Sequence, residues 1–345
     1  MEHSILFLNG EIVTANLRDE VFRALLIAEG RIVFVGDEED ALSLADRDTE
    51  IIDLQNKAII PGFINTAPIS FPLEPGRIEM LERHAVCLRA EGWTSLRLCH
   101  GTLARLRALV AGGELSVSRA PHLFRLYERA ELLAEHTRFT ALPYEELESE
   151  SLYRRAEWML RDGNALACTV GEYETETSAL SFFASLPRRG VGAPRHRLYL
   201  HRPMERRRIP PLRTLGILPV LLDSAVASLP DFLECGLPAV LADSEGAAGL
   251  AVLSGAGVAS DDYRTVPRLL SALTVFPASL EALSQELGSL EWGKRADFLI
   301  LSAPLLGCPP SRLSELGILE TYVDGRKTVP ITESLSSSRN LTLVN

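Results

Sequence analysis

Five side chains that can bind a metal ion or move a proton stand at or just after the ends of predicted strands. They are Cys168, Glu172, His201, Asp223 and Asp243. Cys, His and Asp all ligate Zn²⁺, and a carboxylate can shuttle protons, so these residues are candidates for a metal site or for proton transfer. We expect Asp243 to carry any catalytic role, and the other four are candidate binding residues.

One interpretation is a single zinc ion held by Cys168, His201 and Asp243, which come from neighbouring strands. Side chains alternate between the two faces of a strand, so His201 points away from the side of Leu200 unless the strand is shifted or bulged by one residue. The other interpretation is a buried free thiol, a histidine outside the site and a carboxylate held only by hydrogen bonds.

The segment KAIIPGFINTAPIS, residues 57–70, has the form of a strand that leads into a site, but it lacks metal ligands. An apolar strand runs into the turn Pro61-Gly62 and then into a second short apolar piece. The residues that follow are Asn65, Thr66, Ala67, Pro68 and Ile69. None of the last three side chains can bind a metal or transfer a proton.

Strand and turn patterns divide the chain into three parts. Turns of β-hairpins are predicted at Asn9-Gly10, Glu29-Gly30 and Gln55-Asn56 within residues 4–60, and at Asp324-Gly325 near the C-terminus. In between, short strands alternate with helical segments, which favours a parallel sheet, either open or closed into a barrel. The strands predicted there are 58–64, 93–99, 122–127, 165–170, 196–202, 217–223 and 238–244, with an eighth in 129–142.

The composition is that expected of an acidic cytoplasmic protein. A net charge of −11 disfavours nucleic acid and anionic membranes as partners, because both require a basic footprint. No apolar run is long enough to cross a membrane, and no signal peptide pattern is present. The five cysteines are scattered and form no CxxC pair, which fits reduced thiols. We interpret the Arg-rich segment 188–213 as a solvated face, with an anion or acidic-partner site as the alternative.

Several segments resemble one known family. TEIIDLQNKAIIPGFINT (49–66) is similar to the N-terminal segment of the amidohydrolase superfamily, and LGSLEWGKRADFLIL (287–301) closely resembles its C-terminal signature. ALACTVGEYETETSALSFFASL, RHRLYLHRP and PAVLADS resemble strands five, six and eight of the branch that contains N-substituted formamide deformylases. The resemblance implies a β/α barrel that binds one or two divalent ions at the C-terminal ends of its strands.

The resemblance also places the family's metal ligands on other residue types. Its HxH metal pair falls on Ala67 and Ile69, and the Asp that precedes this pair falls on Asn65. Its final-strand Asp is kept, as Asp243. Because a catalytic zinc ion needs about three protein ligands, these replacements imply that the binuclear metal site is lost.

In the central strands, too, the family's functional residues fall on other residue types. The family's strand-five His falls on Cys168, and the Asp after its Gly falls on Glu172. The strand-six Glu-His falls on Tyr199-Leu200, and the bridging Lys of strand four has no counterpart. We expect Asp243 to be hydrogen-bonded or paired with Arg97 or Arg202. Apolar side chains, namely Ala67, Ile69 and Leu200, are expected to fill the vacated volume.

The predicted fold is therefore α/β: a degenerate or shortened TIM barrel over residues 61–287, with a composite β-sandwich built from residues 1–60 and 288–330. Residues 331–345 form a polar tail. The predicted function is that of an amidohydrolase-like pseudoenzyme that binds a small molecule or a protein partner and needs no cofactor. The alternative is an active hydrolase of C–N bonds that uses one zinc ion. Assembly into a homo-oligomer is compatible with either function.

Overall fold

The computed structural model of the protein describes residues 4–69, 87–98, 140–141, 150–161, 166–187, 196–243, 247–257, 262–281 and 283–327. The predicted strand at 122–127, all but two residues of the segment 129–142, and the tail at 331–345 lie outside these residues.

Seven strands and one helix form from the first 61 residues. They are β1 (Ser4–Leu8), β2 (Glu11–Val13), β3 (Val21–Phe22), β4 (Ala24–Ala28), β5 (Arg31–Gly36), α1 (Glu38–Leu44), β6 (Glu50–Asp53) and β7 (Ala58–Pro61). A four-stranded sheet has the order β5-β4-β1-β6. The hairpin predicted at Glu29-Gly30 is confirmed, because this turn joins the antiparallel strands β4 and β5 with φ values of 53° and 75°.

The predictions of hairpins at Asn9-Gly10 and at Gln55-Asn56 are wrong. β1 and β2, on either side of Asn9-Gly10, lie in different sheets, and so do β6 and β7 on either side of Gln55-Asn56. Asn9, Gln55 and Asn56 do adopt positive φ, as tight turns require. Each turn, however, carries the chain from one sheet to the other. Gly10 packs against Leu54, and a Cβ at Gly10 would lie 2.2 Å from the Leu54 Cδ1 atom.

The middle of the chain is a mixed α/β region with two parallel sheets. β8 (Phe63–Ile69) pairs with β9 (Trp93–Leu98), and β10 (Thr140–Ala141), β11 (Leu166–Val170), β12 (His196–Leu200), β13 (Ile217–Leu221) and β14 (Val240–Leu241) pair in chain order. Seven helices are described here: α2 (Glu150–Arg161), α3 (Tyr173–Ser185), α4 (Ile209–Thr214), α5 (Leu229–Glu234), α6 (Gly249–Gly257), α7 (Val266–Leu273) and α8 (Val275–Leu280). Within the described ranges, no strand ladder joins the two sheets into a closed ring.

The five-stranded sheet has two distinct apolar faces. Its helix-covered face packs in one large cluster with the apolar residues of α2–α7, and contains Cys168, Val170, Leu198, Leu200, Leu221 and Leu241. Its inner face contains Ala167, Tyr199, Leu218, Val220, Val240 and the neighbouring Leu222 and Ala242. Ala67 of β8, together with Phe276 and Leu280 of α8, packs on this inner face.

Three C-terminal strands return to the first sheets. β15 (Phe298–Leu301), β16 (Ile318–Val323) and β17 (Arg326–Lys327) complete a six-stranded sheet of order β17-β16-β15-β7-β2-β3, so strands from both ends of the chain share it. The hairpin predicted at Asp324-Gly325 is confirmed. Between this sheet and the four-stranded one, the Phe298 ring stacks on Tyr322 at a centroid distance of 4.5 Å, and Phe7 lies edge-on to both rings.

Candidate functional site

Asn65 of β8 connects the two parallel sheets through its side-chain amide. Its Nδ2 donates a hydrogen bond to the Asp243 carbonyl oxygen at 2.8 Å, and its Oδ1 accepts one from the Asp243 backbone N–H at 3.3 Å. The same Oδ1 accepts a hydrogen bond from the Ala67 backbone N–H at 3.0 Å. Asn65 is buried, with only 1% of its surface exposed to solvent. The Asn65 side chain therefore forms both a donated and an accepted hydrogen bond with the backbone just after β14, as the backbone of a neighbouring strand would.

The Asp243 carboxylate accepts a hydrogen bond from a residue four positions further along the chain. Its Oδ2 accepts a hydrogen bond from the Ala247 backbone N–H at 2.7 Å, while the Trp93 indole Nε1 donates to the Ala247 carbonyl at 2.8 Å. The prediction that Asp243 is hydrogen-bonded is confirmed, with a backbone N–H as one of its partners. The Arg97 side chain lies outside the described residues, so its proposed pairing with Asp243 stays a prediction.

Cys168 lies on the helix-covered face of the sheet, away from the inner face. It pairs in register with Leu198, whereas Ala167 and Thr169 pair with Arg197 and Tyr199. Burial raises the pKa of the Cys168 thiol to about 11, because the thiolate loses its hydration there. Cys168 is thus a buried free thiol, as the interpretation without a zinc ion expects. The structure does not bring it together with His201.

His201 and Asp223 come together at the carboxyl ends of β11–β14, which we call the mouth. The His201 Nδ1 atom lies 2.5 Å from the Asp223 Oδ2 atom, and the two side chains are 34% and 40% exposed. The Ser224 hydroxyl donates a hydrogen bond to the His201 carbonyl at 2.9 Å. This pair was missed at the level of sequence, although each residue directly follows a predicted strand core and the two strands are consecutive.

The position of His201 follows from the register of β12, and no bulge is needed. The His201 backbone N–H donates to the Val170 carbonyl at 3.2 Å, which extends the ladder one residue beyond the strand. Since Tyr199 lies on the inner face and Leu200 on the helix-covered face, His201 falls on the side of Tyr199. Because Leu200 lies on the helix-covered face, the expectation that it fills the mouth is wrong. Ala67 does pack on the inner face, as expected.

Glu172 has a local structural role at the start of α3. Its backbone N–H donates to the Thr175 hydroxyl at 3.0 Å, and that hydroxyl donates to the Glu172 carbonyl at 2.5 Å. These bonds satisfy polar groups at a helix N-terminus. The Glu172 side chain is exposed, and Glu172 is the N-cap residue of α3.

The described part of the Arg-rich segment forms ion pairs with acidic side chains. Arg206 lies 2.7 Å from Glu234, and Arg207 lies 2.6 Å from Glu205. Arg208 contacts the buried Glu176 at 2.8 Å and stacks over the Tyr173 ring. Burial raises the pKa of Glu176 in spite of Arg208. This arrangement favours the interpretation of a solvated, internally neutralised face.

A buried ion pair lies at the opposite end of the inner face from the mouth. Arg197, the second residue of β12, forms two hydrogen bonds to the Glu281 carboxylate, at 2.8 and 3.1 Å, and a third to the Leu280 carbonyl at 3.2 Å. Both ionic side chains are nearly inaccessible to solvent. Above it, the Tyr199 hydroxyl donates to the Thr66 carbonyl at 3.3 Å. The inner face is thus closed at its base by Arg197, Glu281 and α8.

The described residues do not fit the metal site that the resemblance implies. Among them, no group of three His, Cys, Asp or Glu side chains converges as metal ligands. His201 and Asp223 supply two donors, and Cys168 points to the other face of the sheet. A catalytic zinc ion needs about three protein ligands in addition to its water. The predicted zinc set of Cys168, His201 and Asp243 therefore does not assemble in this part of the chain.

Comparisons with known proteins identify the class of fold. The profile of the amidohydrolase family matches residues 239–329. The chain is similar in structure to molinate hydrolase, with a TM-score of 0.64 and 16% identity, covering 100% of this chain and 99% of that one. It is equally similar to a putative prolidase from Bifidobacterium longum, with a TM-score of 0.64 and 16% identity, covering 98% of each chain. The protein therefore has an amidohydrolase-type fold.

A curated relative points to one branch of that class. An N-substituted formamide deformylase from Arthrobacter pascens is 38% identical over 73 residues, which make up 21% of this chain and 14% of the relative. The match thus spans about one seventh of the relative's length. With the family match to residues 239–329, it confirms the resemblance to amidohydrolases. In the part of the chain that the structure covers, no helix combines the length and apolar character needed to cross a membrane.

Proposed function

We propose that this protein is an amidohydrolase-like pseudoenzyme. It binds a small molecule or a protein partner at the mouth and performs no metal-dependent hydrolysis. Its two parallel sheets belong to a degenerate or shortened TIM barrel, and the protein acts in the cytoplasm. The amidohydrolase-type fold of the structural neighbours supports the barrel arrangement.

The observation that carries this proposal is the chemistry of β8. Ala67 occupies the position that the family resemblance assigns to a metal-binding His, and it belongs to the apolar cluster of the inner face that also contains Tyr199 and Val220. A methyl group has no lone pair to give to a metal ion. Asn65, two residues earlier, uses both its Nδ2 and its Oδ1 atom in hydrogen bonds to backbone groups. Ala67 and Asn65 therefore contribute to packing and to hydrogen bonding between the sheets.

A second candidate function is hydrolysis of C–N bonds at an atypical mononuclear site. The observation that favours it is the His201–Asp223 pair, which places an imidazole and a carboxylate together at the mouth. The two candidates differ in whether the protein holds a metal ion in stoichiometric amount. They also differ in whether it releases formate from N-substituted formamides, the substrate class that the deformylase relative's name gives.

The test is metal analysis of the full chain, purified from medium supplemented with zinc. The pseudoenzyme proposal expects well below one zinc ion per chain and no release of formate from N-substituted formamides. One zinc ion per chain that is lost in both His201→Ala and Asp223→Ala would overturn it. The matched control is Glu315→Ala, which removes an exposed carboxylate paired with Arg312 on the surface.

A further inference from the structure

His201 and Asp223 are brought together by the parallel pairing of β12 and β13. Leu200 pairs in register with Leu221, and the Leu222 backbone N–H donates to the Leu200 carbonyl at 2.8 Å. The chain leaves both strands at the same edge of the sheet. In α/β folds this edge is where ligands bind, because the loops that follow parallel strands meet there.

The contact between the two side chains sets the tautomer of the imidazole. The His201 Nδ1 atom lies 2.5 Å from the Asp223 Oδ2 atom. An ionised carboxylate only accepts hydrogen bonds, so the Nδ1 atom carries the proton and donates it. In the neutral imidazole, the lone pair then resides on Nε2. About a third of the His201 side chain is exposed, so solvent reaches the imidazole from the mouth.

The backbone around the pair is fixed in a conformation that few residues adopt. Asp223 has a φ of 49°, in the left-handed region that non-glycine residues occupy at an energetic cost. The Ser224 hydroxyl bonds to the His201 carbonyl and so ties the second loop to the first. This conformation, which Asp tolerates better than most residues, accompanies the approach of the Asp223 carboxylate to His201.

We infer that His201 and Asp223 form a metal-independent proton-transfer pair that acts on neutral esters. This inference rests on the proposed function only in taking the mouth as the ligand site. His201 Nε2 accepts a proton from a water molecule while the water oxygen forms a bond to the carbonyl carbon. The C–O bond between the carbonyl carbon and the leaving group then breaks, and the imidazolium returns the proton to the leaving group. Asp223 is the positioning residue.

The first experiment measures modification of the full-length protein by diethyl pyrocarbonate, which acylates a neutral imidazole nitrogen. His196 is the internal control, because it is buried, packs against the Phe183 ring and accepts a hydrogen bond from the Leu166 N–H at its Nδ1. Peptide mass spectrometry should show His201 modified at least ten times faster than His196. The rate at His201 should fall in Asp223→Ala. Equal rates at the two histidines, or no change in Asp223→Ala, would overturn the inference.

The second experiment uses p-nitrophenyl acetate as the probe, with protein treated with EDTA and freed of metal. Hydrolysis by the wild type should exceed that by His201→Gln about 100-fold, the scale of general acid–base catalysis. In Asp223→Asn, kcat should fall with KM unchanged, and imidazole should restore activity to His201→Ala. Folding of each variant is checked by thermal unfolding against Glu315→Ala.

The outcomes separate this inference from the proposed function. If the metal-free protein hydrolyses the probe no faster than His201→Gln does, the proton-transfer pair is refuted and the pseudoenzyme proposal stands. If activity disappears with EDTA and returns with zinc, the pair acts through a metal ion, and both the inference and the pseudoenzyme proposal fail.

Discussion

Replacing Asn65 with Asp changes one hydrogen-bond donor at the junction of the two sheets and almost nothing in shape. The family resemblance assigns an Asp to this position. In this protein, the Nδ2 group of Asn65 donates to the Asp243 carbonyl at 2.8 Å. In Asn65→Asp, a carboxylate oxygen faces that carbonyl oxygen at the same distance. The other oxygen keeps its hydrogen bonds from the backbone N–H groups of Ala67 and Asp243.

The expected cost at neutral pH is about 2–4 kcal/mol of unfolding free energy. Loss of one neutral hydrogen bond costs about 1 kcal/mol, and a buried carbonyl that loses its donor adds about 1–3 kcal/mol. Stronger charge-assisted bonds at the other oxygen offset part of this cost. Burial and the facing carbonyl raise the pKa of the introduced carboxyl in the folded state above the value of about 3.9 in the unfolded chain.

Because the pKa of the introduced carboxyl is raised in the folded state, the loss of unfolding free energy depends on pH. When protonated, the introduced carboxyl can donate to the Asp243 carbonyl and replace the lost bond. Its contribution to stability is fully present below the unfolded-state pKa and is lost as the pH rises through the folded-state pKa. The deficit of Asn65→Asp relative to the wild type should therefore be large at pH 8 and shrink steadily toward pH 4.

The assay is urea unfolding of both proteins at a series of pH values, compared at equal m-values. Asn56→Asp, at an exposed asparagine that accepts a hydrogen bond from Arg23 on the surface, is the control and should show little deficit at pH 8. An Asn65→Asp variant as stable as the wild type at pH 8 would refute the role of the Nδ2 donor. A deficit that does not change with pH would refute the electrostatic explanation.

Two further predictions concern buried groups on the two faces of the sheet. Arg197→Met should lower the unfolding free energy by about 3–5 kcal/mol, because it leaves the Glu281 carboxylate buried beside an apolar side chain. Arg197→Met/Glu281→Leu should recover most of that loss in urea unfolding, and strictly additive effects would contradict a coupled pair. The Cys168 thiol, with its pKa raised to about 11, is ionised to about one part in a thousand at pH 8. Mass spectrometry after brief treatment with a thiol reagent should find it modified only in unfolded protein, and rapid modification of the native protein would contradict its burial.

The sequence indicates where turns occur better than it indicates which strands pair. All four turns predicted in the terminal regions contain residues with positive φ, because Asn, Asp and Gly tolerate that conformation locally. Glu29-Gly30 and Asp324-Gly325 join paired strands, whereas Asn9-Gly10 does not. Strand pairing depends on contacts between residues far apart in the chain, such as those of β1 with β4 and β6. A local pattern carries no information about them.

The candidate site shows a similar division. The sequence correctly places polar residues after the ends of β12, β13 and β14, because strand ends are marked by the change from apolar to polar residues. It does not establish which face each residue occupies. A shift of one residue in the assumed register moves every side chain of a strand to the opposite face. This is why Cys168 was grouped with His201, while Asp223 was not recognised as its partner.

The six-stranded sheet also imposes an order of events on folding during synthesis. Phe298 of β15 pairs with Pro61 of β7, so these partners are 237 residues apart in the chain. At ribosomal rates of about 5–20 residues per second, β7 waits about 10–50 s for β15 to be made. Until then one edge of β7, an entirely buried apolar strand in the finished protein, is open to incorrect pairing. Because β2 pairs with the opposite edge of β7, it cannot cover this one, and the nascent chain stays exposed to mispairing here until the C-terminal strands arrive.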